Sequence, residues 1–115
     1  MSSPFVEVLG AIVRQRGVMG GLVVSESDGI IVDATLQVGV KGSVVAALAA
    51  SLFRKARLSS GAAGLGEAVF LTLEAERGRI CAAGRSDLLL VAVTEPRANL
   101  GLLRVEMLKG LGVLS

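Results

Sequence analysis

The chain contains no histidine, which removes the commonest general base and the commonest metal ligand of proteins. Its carboxylates are spread along the sequence, and no spacing among them suggests an acid–base pair. Several fall close to predicted turns, namely Glu26, Asp28, Glu76 and Asp87. We therefore predict no catalytic residue, no metal site and no cofactor, and a protein that is not an enzyme.

Cysteine occurs once, at Cys81. A single thiol excludes an internal disulfide and is consistent with a reducing compartment. Cys81 lies in a short apolar segment with no other candidate ligand at metal-binding spacing. We expect a buried, inert thiol, and a redox or nucleophilic role is the alternative.

Aromatic residues are scarce, since the chain has no Trp, no Tyr and only three Phe. The net charge is only +2, and the basic residues are scattered. Proteins that bind nucleic acid need a basic face, and those that bind single strands add aromatic stacking platforms. The sequence therefore argues against nucleic-acid binding.

No apolar stretch is long enough to cross a membrane. The longest run without a charge is Gly42 to Phe53, twelve residues, whereas a hydrocarbon core of about 30 Å needs about 20. The first five residues also lack the basic start and cleavage site of a secretory signal. We expect a soluble, cytoplasmic protein with no membrane insertion.

Apolar residues, by contrast, are abundant and make up 52% of the chain. A chain of 115 residues has room for one core, so we predict a single domain over residues 1–115. This much Leu, Val and Ala exceeds what one small core needs. The surplus predicts a surface that is buried against another chain.

Hydrophobic periodicity predicts the element order α-β-β-α-β-β-β-α. The helices are predicted at Pro4–Arg16, at Gly42–Arg57, and from Arg97 or Asn99 to Leu111. The strands are predicted at Gly20–Ser25, Ile30–Ala34, Glu67–Glu74, Arg79–Gly84 and Leu88–Thr94. The loops between the elements include Thr35–Lys41 and the glycine-rich Ser59–Gly66, which lacks the Gly-Lys-Ser/Thr of a phosphate loop.

Turn and cap residues support these boundaries. Ser3 is expected to cap the first helix and Asn99 the last, and Gly17 is placed to end the first helix. Asp28-Gly29 is a dipeptide that hairpin turns prefer. Gly101 is expected to allow close packing between the last helix and the sheet.

The strand Leu88–Thr94 has no polar face from Leu88 to Val93. A strand with one wet face would alternate, so this one is expected to be covered on both sides. Because short turns join successive strands, the sheet is predicted to be antiparallel. The predicted fold class is α/β (α+β), a five-stranded antiparallel sheet with helices on both faces.

The second predicted helix is unusual because both of its faces lack charge over most of their length. One face carries larger apolar residues and is expected to pack on the sheet: Val44, Val45, Leu48, Ala49, Leu52, Phe53 and Ala56. The other carries small residues and is expected to contact a second copy: Ser43, Ala46, Ala47, Ala50 and Ser51. The alternative is a helix buried entirely within its own domain.

The hairpin from Val18 to Ala34 and the helix start Asn99-Leu-Gly-Leu-Leu-Arg104 are the most distinctive segments of the chain. Together with the element order, they resemble the Roadblock/dynein light chain family, and the resemblance extends over the whole chain. It implies a five-stranded sheet with the second helix on one face and the terminal helices on the other. It also implies a homodimer that joins through the second helix and the third strand into one continuous ten-stranded sheet.

In function, the resemblance implies a non-enzymatic scaffold or regulator of a Ras-like small GTPase. The dimer-interface residues that we expect are Val44, Ala46, Ala47, Ala50, Ser51, Arg54, Val69, Leu71 and Leu73. The residues expected to touch the GTPase or another partner are Lys41, Arg54, Arg57 and Arg104, with the loop Thr35–Lys41 and the second helix as the first contact region. For Arg104, a structural ion pair or a snorkelling side chain is the alternative.

Two other functions remain open. Helix-covered antiparallel sheets also occur in small-ligand sensors, although the scarcity of aromatic residues does not favour a ligand pocket. A purely structural dimerisation module, with no effect on GTP turnover, differs from a regulator only in assay.

Overall fold

The computed structural model describes residues 3–114 and has the predicted order of elements. Residues 1, 2 and 115 of the predicted domain lie outside the described part. The helices are α1 (Pro4–Val13), α2 (Gly42–Ala62) and α3 (Leu100–Leu114). The strands are β1 (Val18–Ser25), β2 (Ile31–Leu36), β3 (Phe70–Ala75), β4 (Gly78–Arg85) and β5 (Leu88–Thr94).

The five strands form one sheet in the order β2-β1-β5-β4-β3, and every neighbouring pair is antiparallel. β1 and β2 form a hairpin at one edge. The chain then crosses through α2 to the opposite edge, where β3, β4 and β5 form a meander that returns β5 to the side of β1. The predicted five-stranded antiparallel sheet is confirmed, with β2 and β3 at its two edges.

The central strand β5 is covered on both faces, as its sequence predicts. Leu89 and Val91 belong to the core on the α2 side. Leu90 and Ala92 belong to the core beneath α1 and α3. All four side chains are fully buried. The domain is therefore three-layered, with one helix on one face of the sheet and two on the other.

Gly84 on β4 lets α2 lie close to the sheet. A Cβ at this position would come within 2.5 Å of the Phe53 ring and within 2.9 Å of a Leu89 methyl group. Real Cβ atoms do not approach other atoms so closely, so only glycine fits here without a shift of its neighbours. The ring of Phe53 therefore rests directly on the backbone of β4.

Both predicted helix caps are confirmed. The Ser3 hydroxyl accepts a hydrogen bond from the Phe5 amide at 3.1 Å. The Asn99 side-chain oxygen accepts one from the Leu102 amide at 3.0 Å. Gly101, in contrast, is exposed and does not contact the sheet, so the packing role predicted for it is wrong.

The helix ends differ from the prediction. α1 is shorter than predicted and ends at Val13, although Gly17 does adopt a positive φ of 85° in the turn that follows. α2 is longer and continues to Ala62. The Ser60 hydroxyl bonds the carbonyls of Arg57 and Gly66, which folds the following loop back against the helix. The first half of the predicted loop Ser59–Gly66 is therefore helical.

Candidate interaction surface

The outer side of α2 is an apolar ridge. Val44 is 59% exposed, and Ala47, Leu48 and Leu58 are also exposed along the same side of the helix. Lys55 is the charged residue that lies between them. A solvent-facing helix surface normally carries Glu and Lys along its length. This ridge is therefore the first candidate for contact with another chain.

Ala46 and Ala50 do not lie on this ridge. Both are fully buried against the domain's own sheet, together with Ala49 and Phe53. Their predicted place in the dimer interface is therefore wrong. Small side chains bring the helix close to the sheet, so the alanines turn inward and the larger Val44 and Leu48 turn outward. Ser51 is half-buried at the border between the two faces.

The edge strand β3 continues the apolar surface on the same face of the sheet. α2 packs over β1, β2, β4 and β5, and the β3 end of this face remains open. Val69, just before β3, is 54% exposed, and Leu73 is exposed as well, while Leu71 is half-buried beside the α2 core. A surface hollow of about 230 Å³ next to Leu73 is lined in part by Met19, Ile80 and Val93.

The two edges of the sheet are protected differently. In β2, the Asp33 carboxylate accepts a hydrogen bond from the Ala34 amide at 2.8 Å, and the pairing with β1 is interrupted by a register shift. Both features hinder the addition of a further strand. Within the described residues, β3 has neither a shift in its pairing with β4 nor a side chain bonded to its backbone. The sheet is therefore open to further pairing at β3.

Of the predicted partner-binding residues, Arg54 and Arg57 lie together near the end of the sheet. Arg57 forms a salt bridge with the carboxylate of Glu26 at 2.5 Å, and Arg54 donates to the Glu26 backbone carbonyl. Glu26 is buried in the turn between β1 and β2. The two arginines therefore hold α2 to this turn rather than projecting freely into solvent.

Lys41 and Arg104 are not part of this cluster. Lys41 is exposed and precedes the first residue of α2. Arg104 is on α3, on the opposite face of the sheet, and its guanidinium carbon lies 5.5 Å from the centroid of the Phe70 ring. This cation–π contact packs the guanidinium against its own domain, and the four predicted residues do not form one site.

Asp87 contributes to the same end of the sheet, through partners that sequence reasoning missed. Its carboxylate accepts hydrogen bonds from the Ser25 hydroxyl, the Ser27 hydroxyl and the Ser27 amide at 3.1–3.3 Å. These bonds join the β4–β5 turn to the β1–β2 turn, 60 residues away along the chain. The polar cluster of Glu26, Arg54, Arg57 and Asp87 therefore holds the two turns and α2 together. Its sequence signal is a set of polar residues at two turns.

Cys81 is fully buried on β4. Burial raises the pKa of its thiol, and a hydrogen bond with Thr72 opposes this only in part. A thiol that stays protonated is a poor nucleophile. Among residues 3–114, no cluster of His, Cys, Asp or Glu could hold a metal ion.

In the same described range, none of the helices has the length and apolar character needed to cross a membrane.

Comparison with other proteins gives a sequence relative above 30% identity. The uncharacterized protein MJ0714 of Methanocaldococcus jannaschii is 32% identical over 94 residues, which cover 82% of this chain and 79% of that protein. No protein-family model matches the chain.

Several solved structures resemble this one over most of their length, at lower sequence identity. A Roadblock/LC7 domain from Streptomyces avermitilis has a TM-score of 0.82 at 19% identity and covers 94% of this chain and 92% of its own. The gliding protein MglB from Thermus thermophilus has a TM-score of 0.83 at 19% identity, over 99% of this chain and 90% of its own. An MglB structure with a tetrameric arrangement has a TM-score of 0.82 at 19% identity, over 96% and 86%.

Proposed function

Since the chain belongs to one family with the archaeal protein MJ0714 and is a Roadblock domain in fold, we propose that it is a non-enzymatic homodimer that binds and regulates a Ras-like small GTPase. The observation that carries the dimer is the apolar surface formed by the outer ridge of α2 and the open edge at β3. The MglB structures of the same fold include a tetrameric arrangement, which supports self-association.

In the proposed dimer, β3 pairs with β3 of the second copy, and the two sheets become one sheet of ten strands. The α2 ridges then lie side by side on one face and cover Val44, Leu48 and Leu73. Burying such side chains contributes roughly 1.5–3 kcal/mol each relative to full exposure. Part of this gain is already present in the monomer, because Leu48 and Leu73 are only partly exposed.

The polar cluster restricts how the domain could regulate a GTPase. Arg54 and Arg57 are both hydrogen-bonded to Glu26, so neither is held ready as an arginine finger. Regulation then depends on contacts that position the GTPase's own catalytic residues, as phosphoryl transfer is mostly a matter of positioning and electrostatics. The exposed loop before α2, with Val38 at its tip, stays our first choice for the contact with the GTPase.

The dimer is tested by light scattering on Leu48→Glu and Leu73→Glu, each of which places a charge in the proposed contact. We expect the wild type to have at least twice the chain mass of 11.7 kDa. Both variants should have a lower mass than the wild type, because the α2–β3 contact is lost. Val38→Glu is the matched control, since Val38 is exposed but lies outside the contact. An unchanged mass in both test variants would overturn this interface.

The GTPase is tested with Ras-like GTPases from the same genome, loaded in turn with GDP and with a non-hydrolysable GTP analogue. We expect binding that favours one nucleotide state and a change in GTP turnover or nucleotide exchange. Binding with unchanged turnover and exchange would instead identify a structural dimerisation module. Absence of binding in both states would refute the GTPase proposal and leave the dimer to be judged on its own test.

A further inference from the structure

The solvent side of α3 is apolar as well as its inner side. Leu103, Met107 and Leu111 are buried against the sheet and α1. On the outer side, Leu102, Val105 and Val113 are 60%, 63% and 63% exposed. A helix side that faces solvent normally carries polar and charged residues along its length. The outer side of α3 is on the opposite face of the sheet from α2, so the proposed α2–β3 dimer does not cover it.

The outer residues of α3 form one ridge. Leu102, Val105, Lys109 and Val113 follow one another at intervals of three or four residues, the spacing that keeps side chains on one side of a helix. Glu106 borders the ridge and is half-buried, while Lys109 is exposed in the middle of it. The ridge therefore has apolar ends and one charge of each sign at its centre.

This arrangement is complementary to itself. Leu102 and Val113 lie equally far from the midpoint between Met107 and Leu108, and so do Glu106 and Lys109. When two copies of α3 pack antiparallel about a two-fold axis at that midpoint, Glu106 of each copy faces Lys109 of the other. In a two-fold contact, each such pairing occurs twice.

The surface beside the ridge has a place for the apolar ends. A shallow hollow of about 160 Å³ lies between α1 and α3, and its lining combines Val8, Ala11, Gly110 and Val113 with the charged residues Glu7, Glu106 and Lys109. In the antiparallel arrangement, Leu102 of the partner copy comes opposite Val113 and therefore reaches this hollow. The same contact occurs at the other end of the pair.

We propose that the outer face of α3 is a second self-association surface, whose occupant is the α3 helix of another copy in antiparallel orientation. A single helix pair buries less area than the roughly 1,200 Å² at the lower limit of stable interfaces. The contact is therefore weak and depends on concentration. Together with the α2–β3 contact, it would join dimers into tetramers or longer assemblies.

Charge reversal tests the proposed contact. Glu106→Lys and Lys109→Glu each replace two attractive pairings by two repulsive ones. The double variant that carries both changes restores opposite charges across the two-fold axis. We expect each single variant to weaken the association about tenfold, because two attractive pairings are lost and two repulsive ones take their place. We expect the double variant to associate like the wild type.

The measurement is sedimentation equilibrium over a wide concentration series, in the wild type and in the Leu48→Glu background. With Leu48→Glu, self-association reports on α3 alone, so a failure of the α2–β3 dimer is separate from a failure of this proposal. Lys41→Glu in the Leu48→Glu background is the control, because it reverses an exposed cation on the α2 side of the domain where the α2–β3 contact is already removed. The proposal would be overturned if all three α3 variants had the same mass as their parent protein at every concentration. It would also be overturned if the double variant associated as weakly as the single variants. If a different protein covers α3, the first of these results is expected.

Discussion

Replacing Gly84 by alanine should loosen the attachment of α2 to the sheet. The added Cβ would lie 2.5 Å from one atom of the Phe53 ring, 2.6 Å from another, and 2.9 Å from a methyl group of Leu89. Phe53 and Leu89 are both fully buried, so neither can swing into solvent to make room. The helix or the strand has to shift instead.

The size of the effect follows from two opposing contributions. Overpacking a well-filled core destabilises by about 1–3 kcal/mol. Replacing glycine by alanine also reduces the entropy of the unfolded chain, which returns about 0.4–1 kcal/mol. We expect a net loss of about 1–2 kcal/mol in the free energy of unfolding. For a chain of this length, the melting temperature should fall by roughly 3–10 °C.

Gly61→Ala is the matched control. Like Gly84, Gly61 has no positive φ. It lies in the last turn of α2 and has no atom within 4 Å of an added Cβ. Here alanine should raise the stability by about 0.5–1 kcal/mol, because it favours the helix. Both variants are melted at one fixed protein concentration, since self-association contributes to apparent stability.

A double-variant cycle then tests whether the loss of stability comes from the clash with Phe53 and not from alanine itself. Phe53→Leu removes the ring that the new Cβ would strike, so Gly84→Ala should be less costly in that background than in the wild type. The reasoning would be refuted by a Gly84→Ala protein that melts at or above the wild-type temperature. It would also be refuted by equal losses in the two backgrounds.

Two further predictions concern buried groups. Burial raises the pKa of Cys81 above its ordinary value of 9.0, so the thiol ionises first in the unfolded chain. The free energy of unfolding should therefore fall as pH rises from about 9 towards the higher folded-state pKa. A series of urea melts should show this loss in the wild type and a shallower one in Cys81→Ala. Glu26→Gln should lower the free energy of unfolding by about 1–3 kcal/mol, because it removes the charged partner of the half-buried Arg57. Glu74→Gln, at the exposed end of its pair with Arg79, should change it by less than about 1 kcal/mol in the same denaturant melts, and equal losses in the two variants would contradict the role of burial.

Local patterns were sufficient to predict the order of elements and the antiparallel sheet. The fully apolar run Leu88–Val93 predicted a strand covered on both sides, and the capping residues Ser3 and Asn99 marked two helix starts. Each of these signals acts over a few residues, through side-chain alternation or through one hydrogen bond to the backbone. The exact ends of α1 and α2 depend on hydrogen bonds near the helix ends, such as those of Ser60 with the carbonyls of Arg57 and Gly66, which hydrophobic periodicity does not reveal.

The orientation of α2 is harder to predict because the side chains on its two faces differ mainly in size. Both are uncharged over most of the helix, so hydrophobicity alone does not decide which one faces the sheet. Size favours Val44 and Leu48 as core residues, yet Ala46 and Ala50 from the other predicted face are buried, together with the correctly predicted Ala49 and Phe53. The reason is the short distance between helix and sheet at Gly84, where only Phe53 has room for a large side chain.

The inward alanines strengthen the argument for a partner. A helix with Val44 and Leu48 turned towards the sheet would bury both in its own domain and would expose only small side chains. The observed rotation does the opposite and places the larger apolar side chains on the outside, on the face of the sheet whose open edge carries the exposed Val69 and Leu73. The apolar surface that needs covering is therefore larger than the sequence indicated. The α2–β3 contact would cover it with a second copy of the same surface, which is the arrangement that a two-fold dimer requires.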